Sequence, residues 1–348
     1  MTESQFGARS QSLNDLIVTR PGGLYCPQGD FYIDPWRPVD RAIITHAHAD
    51  HARMGSRHYM ATRAAEQVLR TRLGDITLDV LGYGERVVHN GVTISLHPAG
   101  HVLGSAQVRL EHEGDVWVAS GDYKTQPDPT CPPFEAVPCA TFISESTFGL
   151  PIYRWQDPAV VFADIAAWWR GNAELGRASI LYCYAFGKAQ RILAGVRDAG
   201  ALDTGPLVCH GAVEILNAAY RRTGVALPPT HRVEDVEPAQ LRRALVLAPP
   251  SAAGTPWLRR FGDFSDAFAS GWMLLRGARR RRALDRGFVL SDHADWPGLQ
   301  GAIVATGAQR VIITHGQIAV MVRWLREQGL EASAFETEYD EDAAEAGA

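Results

Sequence analysis

The sequence predicts an α/β protein built from two units, one interrupting the other, and three observations carry that expectation. Up to about residue 150 the chain reads as short β runs separated by turn residues. From about 155 it alternates strand with helix, and after 288 the first rhythm resumes. With 348 residues and 46% hydrophobic content, the chain can bury a core in each of two units.

In order, the first stretch offers the strands FYID, RAIITH, DITLDVL, GVTISLHPAGH, AQVRLEHEGDVWVASGDY and ATFISEST, with TRAAEQVLRTRL as its best helical pattern. The second rhythm runs through SILYCYAFGKAQRILAGV, PLVCHGAVEILNAAYRRTG and ALVLAPPSAAG, the signature of a small α/β unit. The first pattern returns with GFVLSDHAD, then QRVIITHG running into the amphipathic QIAVMVRWLREQGL, then EASAFET. The expected boundaries are therefore 1–153 and 288–338 for the divided unit and 154–287 for the insertion. Residues 339–348 are expected to form an acidic, solvated tail.

A formal charge of -5 and a pI near 6.2 give no global basic field, so a nucleic-acid partner must be held by a local patch. No run approaches the length of a membrane span, and the first residues lack a basic-then-apolar signal, so the expected location is cytoplasmic. The cysteines, Cys26, Cys131, Cys139, Cys183 and Cys209, are odd in number and form no C-x-x-C pair. They read as reduced structural thiols.

Chemistry concentrates in THAHADH, where His46, His48, Asp50 and His51 crowd the loop that leaves an apolar strand. Imidazole and carboxylate suit zinc, manganese or iron, and four such donors in so short a span serve two adjacent ions more naturally than one. Downstream, His101 sits on a glycine-flanked turn in HPAGHVLGS, and Asp122 ends the apolar run VWVASGD. Each alone is ordinary turn chemistry. With the first cluster they supply the missing donors.

These residues resemble the H-x-H-x-D-H, histidine and bridging-aspartate motifs of metallo-β-lactamase fold hydrolases, and Asp34 in YIDP matches the upstream aspartate that orients the cluster in that family. The resemblance implies an αββα sandwich and leaves thioesters, lactones, β-lactams and phosphodiesters open as substrates. Glu145 in FISESTFG, His293 in VLSDHADW and His315 in VIITHGQ resemble motifs A, B and C of the β-CASP nucleases, which carry an inserted α/β domain. YAFGKAQRIL resembles the segment that opens a helix after motif A. GWMLLRGARRRRALDRGFVLSDHADW is similar to the bacterial DNA ligase-associated exonuclease group.

The resemblance implies that His46, His48, His101 and Asp122 hold one divalent ion, Zn²⁺ or Mn²⁺, and that Asp50, His51, Asp122 and His315 hold a second. It makes His293 a general acid oriented by Glu145. Physically, an alkoxide leaving a phosphodiester needs a proton, so an extra histidine with its own carboxylate fits phosphoryl chemistry. His315 leans toward RNA, as in RNA-processing members, whereas the longer match leans toward DNA and its group label toward repair beside a ligase and a helicase; the residues leave exonuclease against endonuclease open, and the 5′-phosphate preference of several relatives leans toward 5′-to-3′ polarity. Arg276, Arg279, Arg280, Arg281 and Arg282 are candidates to track phosphates, as are Lys188 and Arg191. Of Trp168, Trp169, Trp257 and Trp272, most are expected in the core rather than stacked on bases. A small-molecule hydrolase would leave the insertion and the arginine run without purpose. A non-catalytic binding subunit is opposed by the donor retained at every motif position.

Overall fold

The computed structural model describes residues 15–275 and 284–339. The first sheet takes its strands in chain order: β1 (Val18–Arg20), β2 (Gly23–Cys26), β3 (Phe31–Ile33), β4 (Arg41–Ile43), β5 (His58–Thr62) and β6 (Leu78–Leu81). Helix α1 (Glu66–Leu73) joins β5 to β6 and covers the outer face with Val68 and Leu69. The second sheet begins with β7 (Arg86–His89), β8 (Val92–Pro98), β9 (Ala106–His112), β10 (Asp115–Ala119) and β11 (Thr141–Ser146). The run expected as one strand, AQVRLEHEGDVWVASGDY, is divided into β9 and β10 because Glu113 and Gly114 both take positive φ, the two-residue turn that matches strand twist.

A third sheet, wholly parallel, gathers β12 (Ala178–Tyr182), β13 (Leu207–Cys209), β14 (Leu245–Ala248), β15 (Phe264–Ala269) and β16 (Arg286–Phe288) in the order β13-β14-β12-β15-β16. Strands β12, β13 and β14 are apolar nearly throughout, as a sheet covered on both faces requires. Helices α2 (Pro158–Glu174) and α3 (Lys188–Asp198) cover one face through Ile165, Trp169, Ile192 and Val196. Helix α4 (Gly211–Arg222) follows β13, and a single turn, α5 (Pro238–Leu241), precedes β14. Leu216, Ala219 and Tyr220 of α4 pack with α1 beside the first sheet.

The chain then returns to the second sheet. Helix α6 (Trp296–Thr306), capped by the Asp295 side chain, leads to β17 (Arg310–Gly316), and α7 (Ile318–Glu327) leads to β18 (Glu331–Ala334). The second sheet is thereby completed as β18-β17-β11-β10-β9-β8-β7. GFVLSDHAD was expected to resume the first rhythm, but its strand pairs in parallel with β15 at the edge of the third sheet, and the return begins only with α6.

Leu24, Ile33 and Ile43 of the first sheet interlock with Ile94, Val108, Leu110 and Ile143 of the second, while Leu299, Ile303, Met321 and Leu325 of α6 and α7 cover the second sheet's outer face. The layers run helix, sheet, sheet, helix. All five cysteines are free thiols, and no described helix is long and apolar enough to cross a membrane.

Candidate metal centre

The functional side chains leave the ends of strands from both sandwich sheets and meet at one edge. Asp34 follows β3 and adopts φ 42°. There it accepts the Thr45 amide at 2.7 Å and the Thr45 hydroxyl at 2.5 Å, which ties the end of β3 to the loop carrying the histidines. Asp122 follows β10 through Gly121, whose φ is 57° and where an added Cβ would lie 2.6 Å from Thr45 Oγ1. Only glycine permits that approach. Glu145 lies inside β11, at an irregularity of its pairing with β17, and His315 stands near the end of β17. His101 and His293 sit on loops after β8 and β16.

Hydrogen bonds assign the tautomers. Thr45 spends its hydroxyl proton on Asp34, so its oxygen accepts from His46 Nδ1 at 3.0 Å. His51 Nδ1 donates to Asp34 at 2.7 Å, His101 Nδ1 to the Asp292 carbonyl at 2.7 Å, and His315 Nδ1 to Thr314 Oγ1 at 2.9 Å. Each ring therefore presents Nε2 inward. His48 is turned the other way: its Nε2 donates to the Phe186 carbonyl at 3.3 Å, leaving Nδ1 toward the centre. Fixing one ring nitrogen to leave the other as a ligand is the usual support of a metal-binding imidazole.

Asp122 stands between the two groups of rings. Its Oδ2 faces His46 Nε2 at 3.4 Å and His101 Nε2 at 3.8 Å, and its Oδ1 faces His51 Nε2 at 3.5 Å and His315 Nε2 at 3.2 Å. Ligand atoms of His46, His48, His101 and Asp122 lie within 4.8 Å of one another, the set expected for a first ion. For a second, Asp50 Oδ2 approaches His51 Nε2 at 3.5 Å, and Asp122 joins His51 to His315.

The donor set fits divalent cations on two observations. His46 Nε2, His51 Nε2, Asp50 Oδ1 and Asp122 Oδ1 are buried with no hydrogen-bond partner, and His101 Nε2 faces His48 Nδ1 at 3.1 Å, lone pair toward lone pair. Burial, reinforced by neighbouring positive charge, holds His46 and His101 well below the ordinary histidine value, and burial takes His48 to about 4. These are neutral imidazoles, as ligation requires. Burial would depress His51 as well, but Asp122, Asp50 and Asp34 push it up to about 10; three carboxylates there call for positive charge. Burial raises Asp122, yet the neighbouring rings of His51, His46 and His315 hold it well below the usual carboxylate range.

His293 Nδ1 donates to Glu145 at 2.9 Å, and Glu145 is itself held by the Tyr123 amide at 2.8 Å and the Thr147 hydroxyl at 2.5 Å. Burial disfavours the imidazolium, but the charge and hydrogen bond of Glu145, with Asp122 behind, push His293 up to about 9. It opens with His48, His101, Asp122 and His315 on a cavity between the sandwich and the third sheet, walled also by Phe148 and Trp272.

Lys188 lines this cavity with its ammonium 3.5 Å from Asp292. Arg191 does not fit the expected contact with a nucleic-acid backbone. It is 0% exposed, donating to the Ser291 carbonyl at 2.5 Å and pairing with Asp292 at 3.3 Å and Asp128 at 3.5 Å. Arg276, Arg279, Arg280, Arg281 and Arg282 lie outside the described residues. Trp168 and Trp169 are core, Trp257 packs on Phe261, and Trp272 reaches the cavity.

Sequence reasoning missed Tyr339, assigned to the solvated tail. Its ring stacks on His51 at 4.6 Å with the planes 6° apart. The remainder of that expected tail, 340–348, lies outside the described residues. The acidic composition that follows Tyr339 concealed it, although an aromatic just before a charged run was a signal.

No family model matches the chain. Its sequence is similar to a probable DNA ligase of Opitutus terrae, 34% identical over 90% of this chain and 30% of that protein. It is similar to ribonuclease TTHA0252 of Thermus thermophilus, 30% identical over 47% of this chain and 44% of that one. A shorter likeness, 32% identical over 22% of this chain and 10% of the relative, is to cleavage and polyadenylation specificity factor subunit 3 of Dictyostelium discoideum. The chain thus spans less than half the length of each relative. In fold it is similar to a protein of unknown function from Enterococcus faecalis, with a TM-score of 0.53 over 86% of this chain and 80% of that one at 12% identity. Joined to the convergence of histidines and aspartates at the strand ends, the three sequence likenesses point to the metallo-β-lactamase/β-CASP nuclease family.

Proposed function

We propose that the chain is a two-metal nuclease that hydrolyses phosphodiester bonds, acting as a DNA exonuclease on single strands or ends. The observation that carries this reading is the shared cavity: His48, His101, Asp122 and His315 face it together with the carboxylate-held His293. His46, His48, His101 and Asp122 would hold one divalent ion, and Asp50, His51, Asp122 and His315 the other, Zn²⁺ or Mn²⁺ being suited to such mixed nitrogen and oxygen donors. Bound there, the ions would polarise the phosphoryl oxygens and acidify water.

The protein's own groups supply the rest. Glu145 occupies His293 Nδ1, so Nε2 is left to give a proton to the leaving oxygen, an effect on the order of 10²–10⁴-fold in such reactions. The Lys188 ammonium offsets phosphate charge within the cavity. Trp272 offers a nucleobase an apolar face.

DNA is favoured by the length of the likeness to the probable DNA ligase, which also supports a working association with ligation. RNA processing is the second reading, favoured by the relative named a ribonuclease. Incubating the chain with Mn²⁺ or Zn²⁺ and end-labelled single-stranded DNA or RNA of matched sequence tests both. Metal-dependent shortening of DNA from one end is expected. Cutting of RNA alone would transfer the assignment, and a chromogenic ester cleaved while both nucleic acids stay intact would overturn it.

A further inference from the structure

We propose that Tyr339 is a positioning residue for the second ion, holding the rings of His51 and His315 in the attitude that ligation requires; this rests on the two-ion reading above. Both histidines are fixed at Nδ1 by a hydrogen bond, to Asp34 and to Thr314. A single hydrogen bond sets where a ring nitrogen lies and leaves the ring able to rock about that bond. The stacked Tyr339 ring removes this freedom from His51, at 4.6 Å and 6° between planes, and its edge meets His315 at 5.5 Å and 67°. The Tyr339 hydroxyl donates to the Asp34 carbonyl at 3.2 Å, so one side chain touches both histidines and the residue that orients one of them.

The segment carrying Tyr339 is strapped down. Glu338 pairs with Arg37 at 2.9 Å, and the Thr337 hydroxyl donates to the Thr314 carbonyl at 2.8 Å, one residue before His315. Trp36 meets the Tyr339 ring edge-on at 5.7 Å. Tyr339 also walls a small cavity behind the pair, shared with Asp34, Thr45, His51, Gly121 and His315. Removing the ring would uncover two imidazoles that are now buried. The rings it touches are those of the second set, so its loss acts on one ion.

The test is a titration of the metal-free full-length chain with Mn²⁺, read by calorimetry and by the electron paramagnetic resonance of the bound ions. The wild type should take up two ions whose spectrum is that of a coupled pair. Tyr339→Ala should keep the first affinity and weaken the second by about 10–100-fold, the range for supports of metal ligands, leaving the spectrum of an isolated ion at low Mn²⁺. Tyr339→Phe should retain both ions, since the stack survives. Should Tyr339→Ala not fold, Tyr339→Leu fills the space without a ring and carries the same contrast with Tyr339→Phe. Two ions bound by the alanine or leucine variant at wild-type affinity would overturn the proposal, as would equal weakening of both. A wild type that binds only one ion would overturn the two-ion reading itself, before any variant is compared.

Discussion

Two buried polar clusters lie on either side of Asp292 and differ in the pattern of their charges. In the first, centred on Asp122, imidazole nitrogens and carboxylate oxygens point inward, and four of those atoms meet no hydrogen-bond partner. In the second, cations and carboxylates interleave: Lys124 with Asp128 at 2.6 Å, Arg191 with Asp128 and Asp292 at 3.5 and 3.3 Å, Lys188 with Asp292 at 3.5 Å. Arg191 Nε and Nη2 lack hydrogen bonds of good geometry, but they belong to a cation with a carboxylate on either side. Burial alone does not separate a site from a scaffold. The separating feature is whether charge is answered from within, and only the first cluster requires a cation from outside.

That contrast is broken most sharply at Asp122. Asp122→Asn removes the carboxylate charge that faces both groups of histidines, so on the proposed two-ion reading bound metal should fall from two ions per chain toward none and cleavage to background, measured on the same preparation by metal analysis and end-labelled substrate. His293→Ala should dissociate the two readouts. On the proposed mechanism turnover should fall by roughly 10²–10⁴-fold while both ions remain, because the role proposed for His293, whose ring Glu145 orients, is to protonate the leaving oxygen, and His293 lies outside both proposed ligand sets. Loss of metal in that variant would place His293 among the ligands.

In the interleaved cluster the expected loss is of stability. Arg191→Ala leaves Asp128 and Asp292 buried with fewer partners, and breaking such a pair costs about 3–5 kcal/mol, visible as a lower denaturation midpoint in the metal-free chain. An unchanged midpoint would mean that Lys124 and Lys188 suffice for both carboxylates.

The difference between the clusters also explains what the sequence disclosed. His46, His48, Asp50 and His51 are legible because their spacing is local, and a strand end before them is readable from RAIITH. Arg191 was misread because FGKAQR carries its charges openly while the carboxylates that bury them, Asp128 and Asp292, lie far along the chain in both directions. Tyr339 escaped for the same reason, its partner His51 being on the opposite side of the sequence. Strands β1, β2, β5 and β7 went unmarked, whereas β3, β4, β6, β8, β9, β10, β11, β17 and β18 followed from apolar runs and turn residues. The edge strand β16 did not, since nothing in GFVL tells which sheet an apolar run will join.

The smallest expected effect sharpens the comparison through pH. Burial raises the Asp128 carboxyl, but Lys124 and Arg191, with hydrogen bonds from Lys124 and Thr130, hold it below the ordinary aspartate value of 3.8. A carboxyl depressed in the folded state contributes stability that is fully present above its unfolded value and is lost as pH falls through the folded one. The unfolded chain then binds more protons than the folded chain, so stability falls with falling pH. The urea midpoint of the metal-free chain should therefore decline from about pH 4 downward. In a Lys124→Met, Asp128→Asn variant that decline should be shallower, even though the variant starts lower, because one depressed carboxyl and its partner have been removed together. An equal slope in the two proteins would mean that Asp292 and the other carboxylates carry the acid sensitivity, and that the raising effect of burial on Asp128 cancels the lowering effect of its cations.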